Sequence, residues 1–469
     1  MALNGSRFMK HTQMPIHVIG LGVNQVAHLD DAAQAVLASL SVNDVVLGAP
    51  RQHETITHYS HLARREDLPK LSMLKDAFAA WQSEGAEQVV VLASGDPLYY
   101  GIGAWLMRTF SLESLRFYPN VSSIQMACHR LGLSLQDVQV VSLHGRPVVS
   151  LRRHLQSNKT LVLLTDQYSQ PKHIAEECIK AGLDQSEITV CEALGYPQEK
   201  VSAFIAESFT NGDEFESELE FDPLNVVVLK TSQQPSRYPS AVGIPDASFV
   251  TDKGDGKGMI TKREVRLAIL SYMNIEQGDT VWDIGAGCGG VSVEMAYWHP
   301  RSQIIAIEHH PDRLACLTAN QDRFGVMQNL FIVAGRAPDA LVDLLAGNLL
   351  AGNNAQHGKP NKVFIGGSDG ELNALMTQVW DLLPAGGSLM VSAVTEETKY
   401  QVMQFAQQRD KAQDADEQSL QVSIAKGERL AGQRLFRPNL PVSLHHFKKH
   451  SAEHMIKIDN KTIYKESAQ

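Results

Sequence analysis

The segment 281–290 constrains the fold of this chain more than any other stretch. An apolar run passes through Asp283 and opens into Gly-x-Gly-x-Gly at residues 285–289. Residues 291–296 follow with a composition that can start a helix. Because glycine has no Cβ atom, a ligand can lie directly against such a loop. The order of strand, glycine loop and helix therefore predicts a nucleotide-type α/β fold.

A carboxylate stands at the spacing expected for a ribose contact. Glu308 closes the apolar run 304–307 and lies 21 residues after Gly287. A carboxylate in this position can accept hydrogen bonds from both ribose hydroxyls, which predicts an adenosine ligand. The polar residues 320–322 and then 335–338 (Gly-Arg-Ala-Pro) follow in the order expected of an S-adenosylmethionine (SAM) methyltransferase rather than a dehydrogenase.

Length and charge limit the classes of function that are open to the chain. With 469 residues it is too long for a single core, so two or three domains are expected. The net charge of −10 argues against a nucleic-acid partner, although a local basic pocket for an acidic small molecule stays possible. No apolar stretch approaches the roughly 20 residues of a membrane span, and residues 1–14 lack the apolar core of a secretion signal. We therefore expect no membrane partner.

The cysteines and histidines do not predict a metal site. The five cysteines show no CxxC spacing, so neither zinc binding nor a disulfide framework is indicated. A reducing cytoplasm is the simplest interpretation of that pattern. His309 and His310 are adjacent, and adjacent residues on one turn seldom supply two ligands to one ion. We expect no metal on the protein.

The chain divides near residues 231–243, a polar and proline-containing stretch that follows the strand-like residues 225–229. On both sides of this stretch, short apolar strands alternate with helical segments. This alternation predicts parallel sheets that are covered on both faces. The predicted strands include residues 17–20, 45–48, 89–92, 161–164, 331–333, 363–365 and 388–391.

Three polar segments are predicted to lie outside the cores. Residues 213–222 carry six carboxylates and are typical of a solvated face. Residues 346–361 are predicted to form a loop between a helix and a buried strand. The last 20 or so residues show no strong periodicity, which is typical of a chain terminus.

The first half carries a ligand signal of its own. An apolar strand runs into a Gly-Asp-Pro turn at residues 95–97, and the loop 20–22 (Gly-Leu-Gly) follows the first strand. Small residues after a buried strand leave backbone groups facing a cleft, where they can bind the amino-acid part of SAM. Polar residues at two further strand ends strengthen the prediction. The candidate cofactor contacts of this half are Gly20, Gly22, Gly95, Asp96, Pro97, Ser122, Ser123 and Thr165.

Several short segments carry a resemblance to known proteins. In the first half they are residues 92–103, 121–123, 141–146 and 192–195. Through them the chain resembles the tetrapyrrole methylase family, in the cobalamin-pathway branch that methylates ring position 5. In the second half they are residues 243–246, 261–266, 282–290 and 364–367. These are similar to the enzymes that methylate position 15 and decarboxylate the acetate at position 12.

The resemblance covers about residues 15–445, and the halves stand in the order of the fused enzymes of vitamin B12 biosynthesis. It implies an α/β protein with an N-terminal two-lobed tetrapyrrole methylase fold and a C-terminal Rossmann-like class I SAM-methyltransferase fold. The expected domains are a position-5 methylase module at residues 14–232, a position-15 methyltransferase and decarboxylase module at 241–446, and a C-terminal extension at 447–469.

The implied activity is SAM-dependent methylation of precorrin-6B at positions 5 and 15, with loss of the position-12 carboxylate, giving precorrin-8X. The expected partners are SAM, a small-molecule tetrapyrrole and further copies of the same chain, since related families self-associate. The candidate cofactor contacts of the second half are Thr261, Gly285, Ala286, Gly287, Cys288, Gly289, Glu308 and Ala337.

Basic side chains are candidates for contacts with the acetate and propionate arms of such a substrate, because arginine suits bidentate carboxylate binding. Exposure on a helix surface is the competing interpretation for each of them. The sequence indicates no general acid or other catalytic residue. The candidate substrate contacts are Lys262, Arg263, Arg266, His144 and Arg146.

Three alternatives stay open at this point. The same reactions on cobalt-containing precorrins fit the sequence equally well, because the metal would belong to the substrate. An RNA or protein methyltransferase is disfavoured by the acidic charge and by Gly366-Gly367-Ser368 in place of an Asn/Asp-Pro-Pro-Tyr segment. A SAM-binding regulatory protein with decayed pockets is suggested by Val23-Asn24, where the family continues Pro-Gly, and by Ser368, where a third glycine is usual.

Overall fold

The structure, a computed structural model, describes residues 14–209, 220–254, 256–346 and 359–451. Two compact units are present, and the second unit begins with residue 236 but also includes residues 149–156. None of the helices in the described ranges has the length and apolar character that crossing a membrane requires. Most of the three predicted polar segments falls outside the described residues.

The first unit contains two sheets, and its described residues form ten strands and six α-helices. The strands are β1 (Ile16–Gly20), β2 (Val45–Gly48), β3 (Arg64–Asp67), β4 (Val89–Ala93), β5 (Leu115–Tyr118), β6 (Gln139–Ser142), β7 (Thr160–Leu164), β8 (Glu187–Glu192), β9 (Lys200–Ile205) and β10 (Asn225–Lys230). The helices are α1 (Asp31–Ser39), α2 (Pro50–Thr55), α3 (Leu71–Ser83), α4 (Gly103–Thr109), α5 (Ser123–Leu131) and α6 (Pro171–Lys180).

The first sheet is entirely parallel, as predicted, with the strand order β3-β2-β4-β1-β5. Every residue of its central strand β4 is buried. Val89 and Val91 pack into one apolar cluster with Phe78, whereas Val90 and Leu92 pack into another cluster across the sheet. Successive side chains of a strand point to opposite faces, so both faces of this sheet are covered.

The second sheet departs from the prediction of purely parallel pairing. Its order is β6-β7-β10-β8-β9, and β10 runs antiparallel to both of its neighbours. Strands β8 and β9 are also antiparallel, and the short connection 193–199 between them suits such a pair. A strand buried on both faces is apolar throughout whichever way it runs, so the sequence of β10 did not reveal its direction.

The second unit contains nine strands and six α-helices among its described residues. The strands are β11 (Thr280–Ile284), β12 (Gln303–Glu308), β13 (Leu330–Ala334), β14 (Lys362–Ile365), β15 (Ser388–Ala393), β16 (Ala415–Val422), β17 (Ala425–Leu430), β18 (Gln433–Pro438) and β19 (Val442–Lys449). The helices are α7 (Arg263–Met273), α8 (Gly290–Trp298), α9 (Pro311–Arg323), α10 (Asp339–Leu345), α11 (Leu372–Leu382) and α12 (Glu396–Ala412).

The main sheet of the second unit has seven strands in the order β13-β12-β11-β14-β15-β19-β16. The first five are parallel, and β19 is antiparallel to β15 and β16. This is the predicted doubly wound sheet of the class I SAM-methyltransferase type. The strand order reverses between β11 and β14, and at such a switch point the carboxyl ends of the strands leave a crevice for a ligand. Strand β19 continues to Lys449, three residues past the predicted module boundary.

A fully buried guanidinium connects the segments at the start of the second unit through hydrogen bonds. Arg266 on α7 is 0% exposed. Its Nε donates to Glu294 Oε2 of α8 at 2.8 Å, and its Nη1 donates to Asp246 Oδ1 at 2.7 Å and to the Thr261 carbonyl. Its Nη2 donates to the Ile244 carbonyl. The charge is thus paired with two carboxylates inside the core, as a buried cation requires.

We expect Arg266→Met to destabilise the second unit by about 3–5 kcal/mol, because Glu294 would then be a buried carboxylate without its cation. Arg263→Met is the matched control, since Arg263 lies on the same helix and is exposed, and it should change the free energy of unfolding by at most about 0.5 kcal/mol. Hydrogen exchange in urea, resolved by mass spectrometry to peptides of each unit, measures both effects. Equal stability of the two variants would contradict the structural role of Arg266.

Strand β11 ends next to a buried carboxyl group. Asp283 is 1% exposed, and burial raises its pKa to about 7. The Ser292 hydroxyl on α8 is hydrogen-bonded to Asp283 Oδ2, and the nearby charge of Glu308 also raises the pKa. The folded second unit therefore carries a protonated Asp283 below about pH 7, whereas the unfolded chain releases that proton at a lower pH.

This difference in proton binding makes stability depend on pH. Between the ordinary pKa of an aspartate and about 7 the folded state binds more protons, so the free energy of unfolding falls as the pH rises. Asp283→Asn keeps the bond to Ser292 but does not titrate. Relative to this variant, the wild-type second unit should lose about 2–3 kcal/mol between pH 5 and pH 8. Urea unfolding at both pH values measures the change, and parallel pH profiles would contradict it.

Candidate functional site

The first unit contains a cleft of about 1130 Å³ at the carboxyl ends of β1 and β4. These parallel strands are neighbours, so the loops that follow them lie side by side. The Gly22 and Gly95 backbones exchange hydrogen bonds of 3.3 and 2.9 Å across the two loops. A Cβ atom on Gly20 would lie 2.7 Å from the Gly95 carbonyl oxygen, which explains why that position is glycine. Two segments 75 residues apart thus form one wall of the cleft.

Two further strand ends contribute hydroxyl groups to the cleft. Ser122 caps α5, where its Oγ accepts the Gln125 N–H at 3.2 Å, and Ser123 follows it along the lining. Thr165 Oγ1 donates to Asn225 Oδ1 at 2.7 Å, so its hydroxyl hydrogen is already engaged. The structure therefore brings Gly22, Gly95, Ser122, Ser123 and Thr165 to one cleft, as the sequence predicts.

Three predicted contacts of the first half are placed differently. Gly20, Asp96 and Pro97 are not among the residues that line the cleft. The Asp96 carboxylate accepts the Leu98 and Tyr99 N–H groups at 2.8 and 3.0 Å, so it closes the turn instead of facing the cleft. Pro97 is buried, with its ring next to Gly20. Gly20, Asp96 and Pro97 therefore shape the loop. A contact between Asp96 and a ligand stays a prediction.

The predicted substrate contacts His144 and Arg146 are exposed and line the cleft. Arg146 Nη1 donates to the Ser142 carbonyl at 3.2 Å, and the Gly145 N–H between them donates to Asp166 Oδ2 at 2.7 Å. Val23 and Asn24, where the family continues Pro-Gly, also line the cleft. The Asn24 side chain lies against Gly195, where an added Cβ atom would be 2.6 Å from its oxygen.

The second unit contains a pocket of about 330 Å³ at the switch point of its seven-stranded sheet. Gly285, Ala286 and Gly287 follow β11 and line it. Gly285 has a φ of +72°, and an added Cβ atom would lie 2.5 Å from the Gly367 carbonyl oxygen. The loops after β11 and β14 therefore approach each other at backbone distance, and both line the pocket.

Glu308 organises this pocket through its carboxylate. The side chain is 3% exposed, and its Oε2 accepts the Gly287 N–H at 2.9 Å. Its Oε1 accepts the N–H groups of His309 and His310 at 2.8 and 2.9 Å. Each carboxylate oxygen can accept about two hydrogen bonds, so Oε2 keeps an acceptor site for a ligand. The predicted ribose residue thus also fixes the glycine loop.

The remaining predicted cofactor contacts divide into two groups. Thr261 and Ala337 line the pocket with Glu308. Cys288 and Gly289 are not among its lining residues. Burial raises the pKa of the Cys288 thiol to about 12, which agrees with a space-filling residue and not with a nucleophile. The φ of Gly289 is +85°, at the N-cap of α8.

The three basic residues at the start of α7 differ in their surroundings. Lys262 lines the pocket, and its Nζ donates to the Gly256 carbonyl at 2.8 Å. Arg263 is exposed and is not a lining residue. The prediction that Arg266 contacts substrate is wrong for this structure, because its guanidinium is buried and bonded to Glu294 and Asp246. The alternative of a solvated arginine is equally wrong there.

Sequence reasoning missed several charged residues of the second pocket. His309 bridges two carboxylates: its Nδ1 lies 3.5 Å from Glu308 Oε1 and its Nε2 lies 3.3 Å from Asp369 Oδ2. Arg313 and Arg336 also line the pocket. His309, Arg336 and Asp369 lie in the segments that follow β12, β13 and β14. Their positions after these predicted strands could have identified them from the sequence as pocket residues. Within the described ranges no group of three or more His, Cys, Asp or Glu residues could hold a metal ion.

Two family descriptions match the chain, one in each unit. Residues 15–207 match the tetrapyrrole (corrin/porphyrin) methylases, and residues 252–449 match the precorrin methyltransferase domain. A crystal structure titled precorrin-6y C5,15-methyltransferase, from Geobacter metallireducens GS-15, is 31% identical over 45% of this chain and all of its own, with a TM-score of 0.38.

Two curated relatives align with most of the chain. A protein of Sinorhizobium sp named precorrin-6Y C(5,15)-methyltransferase [decarboxylating] is 34% identical over 91% of this chain and 94% of its own length. A protein of Mycobacterium tuberculosis (strain ATCC 25618 / H37Rv) with the same name is 30% identical over 82% of this chain and 88% of its own. The chain therefore belongs to the family of decarboxylating precorrin-6Y C(5,15)-methyltransferases.

Proposed function

We propose that this chain transfers methyl groups from SAM to positions 5 and 15 of precorrin-6B and removes the carboxylate of the position-12 acetate, giving precorrin-8X. One observation carries the proposal. Each unit has its own pocket at the carboxyl ends of parallel strands, in a chain that aligns over 91% of its length with a relative named for both positions. Position 5 is assigned to the first unit and position 15 with decarboxylation to the second.

The lining of the second pocket supports SAM as its ligand. The backbone of Gly285, Ala286 and Gly287 lines the pocket, and Glu308 Oε2 has an acceptor site left for a ribose hydroxyl. Ala337 would lie beside the adenine and Thr261 near the carboxylate. In the first cleft, Gly22, Gly95, Ser122, Ser123 and Thr165 would take the corresponding roles. Bound SAM supplies an electrophilic methyl group that needs no acid for activation.

The contribution of the protein to methyl transfer is then orientation. The loops after β11 and β14 are held by backbone contact and by Glu308, so they change little when a ligand binds. Fixing the acceptor carbon in line with the methyl group can lower the barrier by about 7–11 kcal/mol. No side chain has to remove a proton before the carbon attacks, because the electron-rich meso carbon of the reduced macrocycle is itself the nucleophile.

Decarboxylation is the second reaction proposed for the second unit. The bond between the acetate CH2 and its carboxylate breaks, CO2 leaves, and the electron pair enters the conjugated macrocycle before a proton takes the place of CO2. The pocket would assist by holding that carboxylate near cations in a partly desolvated position. Lys262, Arg313 and Arg336 line the pocket and are the cations available for this.

The location and the assembly are part of the same proposal. All five cysteines are free and buried, which suits a reducing cytoplasm. Tetrapyrrole binding without a nucleic-acid or membrane partner, and self-association, are carried over from the family as expectations. Light scattering on the purified chain measures the assembly state.

The test is an anaerobic incubation of the purified chain with SAM and precorrin-6B, followed by mass spectrometry of the product. We expect a gain of two methyl groups and the loss of CO2. A parallel reaction with cobalt-precorrin-6B separates the two substrate classes. Turnover of the cobalt substrate alone would overturn the metal-free assignment, and no turnover of either would overturn the proposed function.

Glycine variants assign the two reactions to the two units. Gly285→Ala should abolish position-15 methylation and CO2 loss, because its Cβ atom would lie 2.5 Å from the Gly367 carbonyl oxygen. Gly20→Ala should abolish position-5 methylation for the corresponding reason at Gly95. Gly386→Ala is the control, since its φ is also positive at +81° but nothing lies within 4 Å of the added atom.

Calorimetry with S-adenosylhomocysteine then counts the sites. Each of the two pocket variants should bind one equivalent fewer than the Gly386→Ala control. Retention of both reactions in either pocket variant would contradict the assignment of one SAM site to each unit.

A further inference from the structure

The cleft of the first unit is lined by three arginines from separate parts of the fold. Arg51 lies on α2, Arg108 lies in the last turn of α4, and Arg146 follows β6. Only Arg146 belongs to a segment that the family resemblance singles out. Three guanidiniums around one cleft are notable in a chain whose net charge is −10.

These arginines have no carboxylate partner among the described residues. Arg51 Nη2 approaches the Ser94 hydroxyl at 3.5 Å, and Arg146 bonds a backbone carbonyl. The exposed Arg108 side chain has no hydrogen bond or ion pair within the described ranges. Arginines elsewhere in the unit do find carboxylates, as Arg64 does with Glu84 and Arg130 with Glu199. Three guanidinium groups of this cleft are thus without a carboxylate partner in the described part of the chain.

One carboxylate among the residues that the structure describes, that of Asp166, lines the cleft, and it already accepts hydrogen bonds from the protein. Asp166 Oδ2 accepts the Gly145 N–H at 2.7 Å. Its Oδ1 accepts the N–H groups of Tyr168 and Ser169 at 2.9 and 3.0 Å and the Ser169 hydroxyl at 2.9 Å. With four hydrogen bonds this carboxylate organises its own loop. Among the described residues, the lining of the cleft therefore carries more positive than negative charge, which favours an anionic ligand.

SAM cannot be that ligand, because it has a single carboxylate together with an ammonium and a sulfonium. Its predicted contacts are the uncharged glycine, serine and threonine ends of the strands. Three arginines favour a ligand with several carboxylates, because each guanidinium can bind one carboxylate in a bidentate, charge-assisted pair. A tetrapyrrole with acetate and propionate arms has this chemistry.

Aromatic side chains add a flat surface between the charged groups. Tyr99 and Tyr100 line the cleft, are 37% and 49% exposed, and stand edge to face with ring centroids 5.3 Å apart. Tyr100 has a φ of +60°, which is uncommon for a bulky residue. Its hydroxyl donates to the Val140 carbonyl at 3.3 Å, across to β6. Such positions persist where surrounding contacts enforce them, often at ligand sites.

We infer that Arg51, Arg108 and Arg146 bind separate carboxylate arms of the tetrapyrrole acceptor and so determine which meso carbon faces the methyl group. The inference rests on the proposed function of this unit. The three arginines are specificity-determining residues, and Tyr99 and Tyr100 give the macrocycle an apolar contact. Position 5 is then selected by the pattern of arms around the ring and not by a catalytic side chain.

The test uses the full chain with Arg51→Gln, Arg108→Gln, Arg146→Gln and the triple variant. Each single variant should raise the KM of the acceptor for position-5 methylation by about tenfold, as expected for one charge-assisted contact. Affinity for S-adenosylhomocysteine and the loss of CO2 at the second unit should not change. Arg108→Lys should recover part of the loss, because it keeps the charge but not the bidentate geometry.

Arg65→Gln is the matched control, because Arg65 is exposed on β3 and does not line the cleft. It should leave the KM of the acceptor unchanged. The wild-type KM should also rise with salt more steeply than that of the triple variant. A triple variant that methylates position 5 with the wild-type KM and the wild-type salt dependence would overturn the inference.

A binding measurement keeps the inference separate from the proposed function. Uroporphyrin I, a stable macrocycle with eight carboxylates, is titrated into wild type, Arg65→Gln and the triple variant. The triple variant should bind one equivalent fewer than the other two. Equal binding by all three would overturn the inference whatever the enzymatic result, whereas a wild type that binds uroporphyrin but converts no precorrin would contradict the proposed function alone.

Discussion

The second unit depends on one buried charge cluster. Arg266 reaches Glu294, Asp246 and two backbone carbonyls without contact with water. Because Glu294 also accepts the backbone N–H groups of Gly243 and Ile244, the cluster joins the segment before α7 to the helix after the glycine loop. Thr261 and Lys262, which line the pocket, lie between these anchors. A cation that no solvent reaches thereby holds in place the segment that carries Thr261 and Lys262.

The two pockets share a construction although their sheets differ. In each unit, neighbouring parallel strands end at the same edge, and the loops beyond them touch through glycine backbones. Such loops offer N–H and C=O groups at fixed positions, which suits a cofactor that carries both an amino acid and a nucleoside. In the first unit the arginines of the cleft lie on α2, on α4 and after β6. In the second unit ionisable residues lie both at the strand ends (Glu308, His309, Arg336 and Asp369) and away from them, at Lys262 before α7 and Arg313 on α9.

Much of the fold could be predicted because the signals are local. Alternating apolar strands and helices predicted the parallel pairing found in the first sheet and in five strands of the seven-stranded sheet, and the glycine loop with Glu308 predicted the pocket of the second unit. The family resemblance supplied the type of the second sheet. The direction of β10 could not be predicted, because a strand buried on both faces is apolar in either direction. Arg266 was misjudged because its carboxylate partners are 20 and 28 residues away, a distance at which spacing gives no signal.

The sequence by itself determined the two SAM-type loops and the order of the two modules, since these are properties of contiguous segments with defined steric needs. Only the tertiary structure decided which charged side chains line a pocket. Arg263 and Arg266 lie three residues apart, yet one is exposed and the other is completely buried. Arg51 and Arg108 belong to different helices and meet around one cleft because β2 and β4 are neighbours in the sheet. Burial and strand order, which depend on the whole chain, separate the charged side chains that line a pocket from those held inside a core.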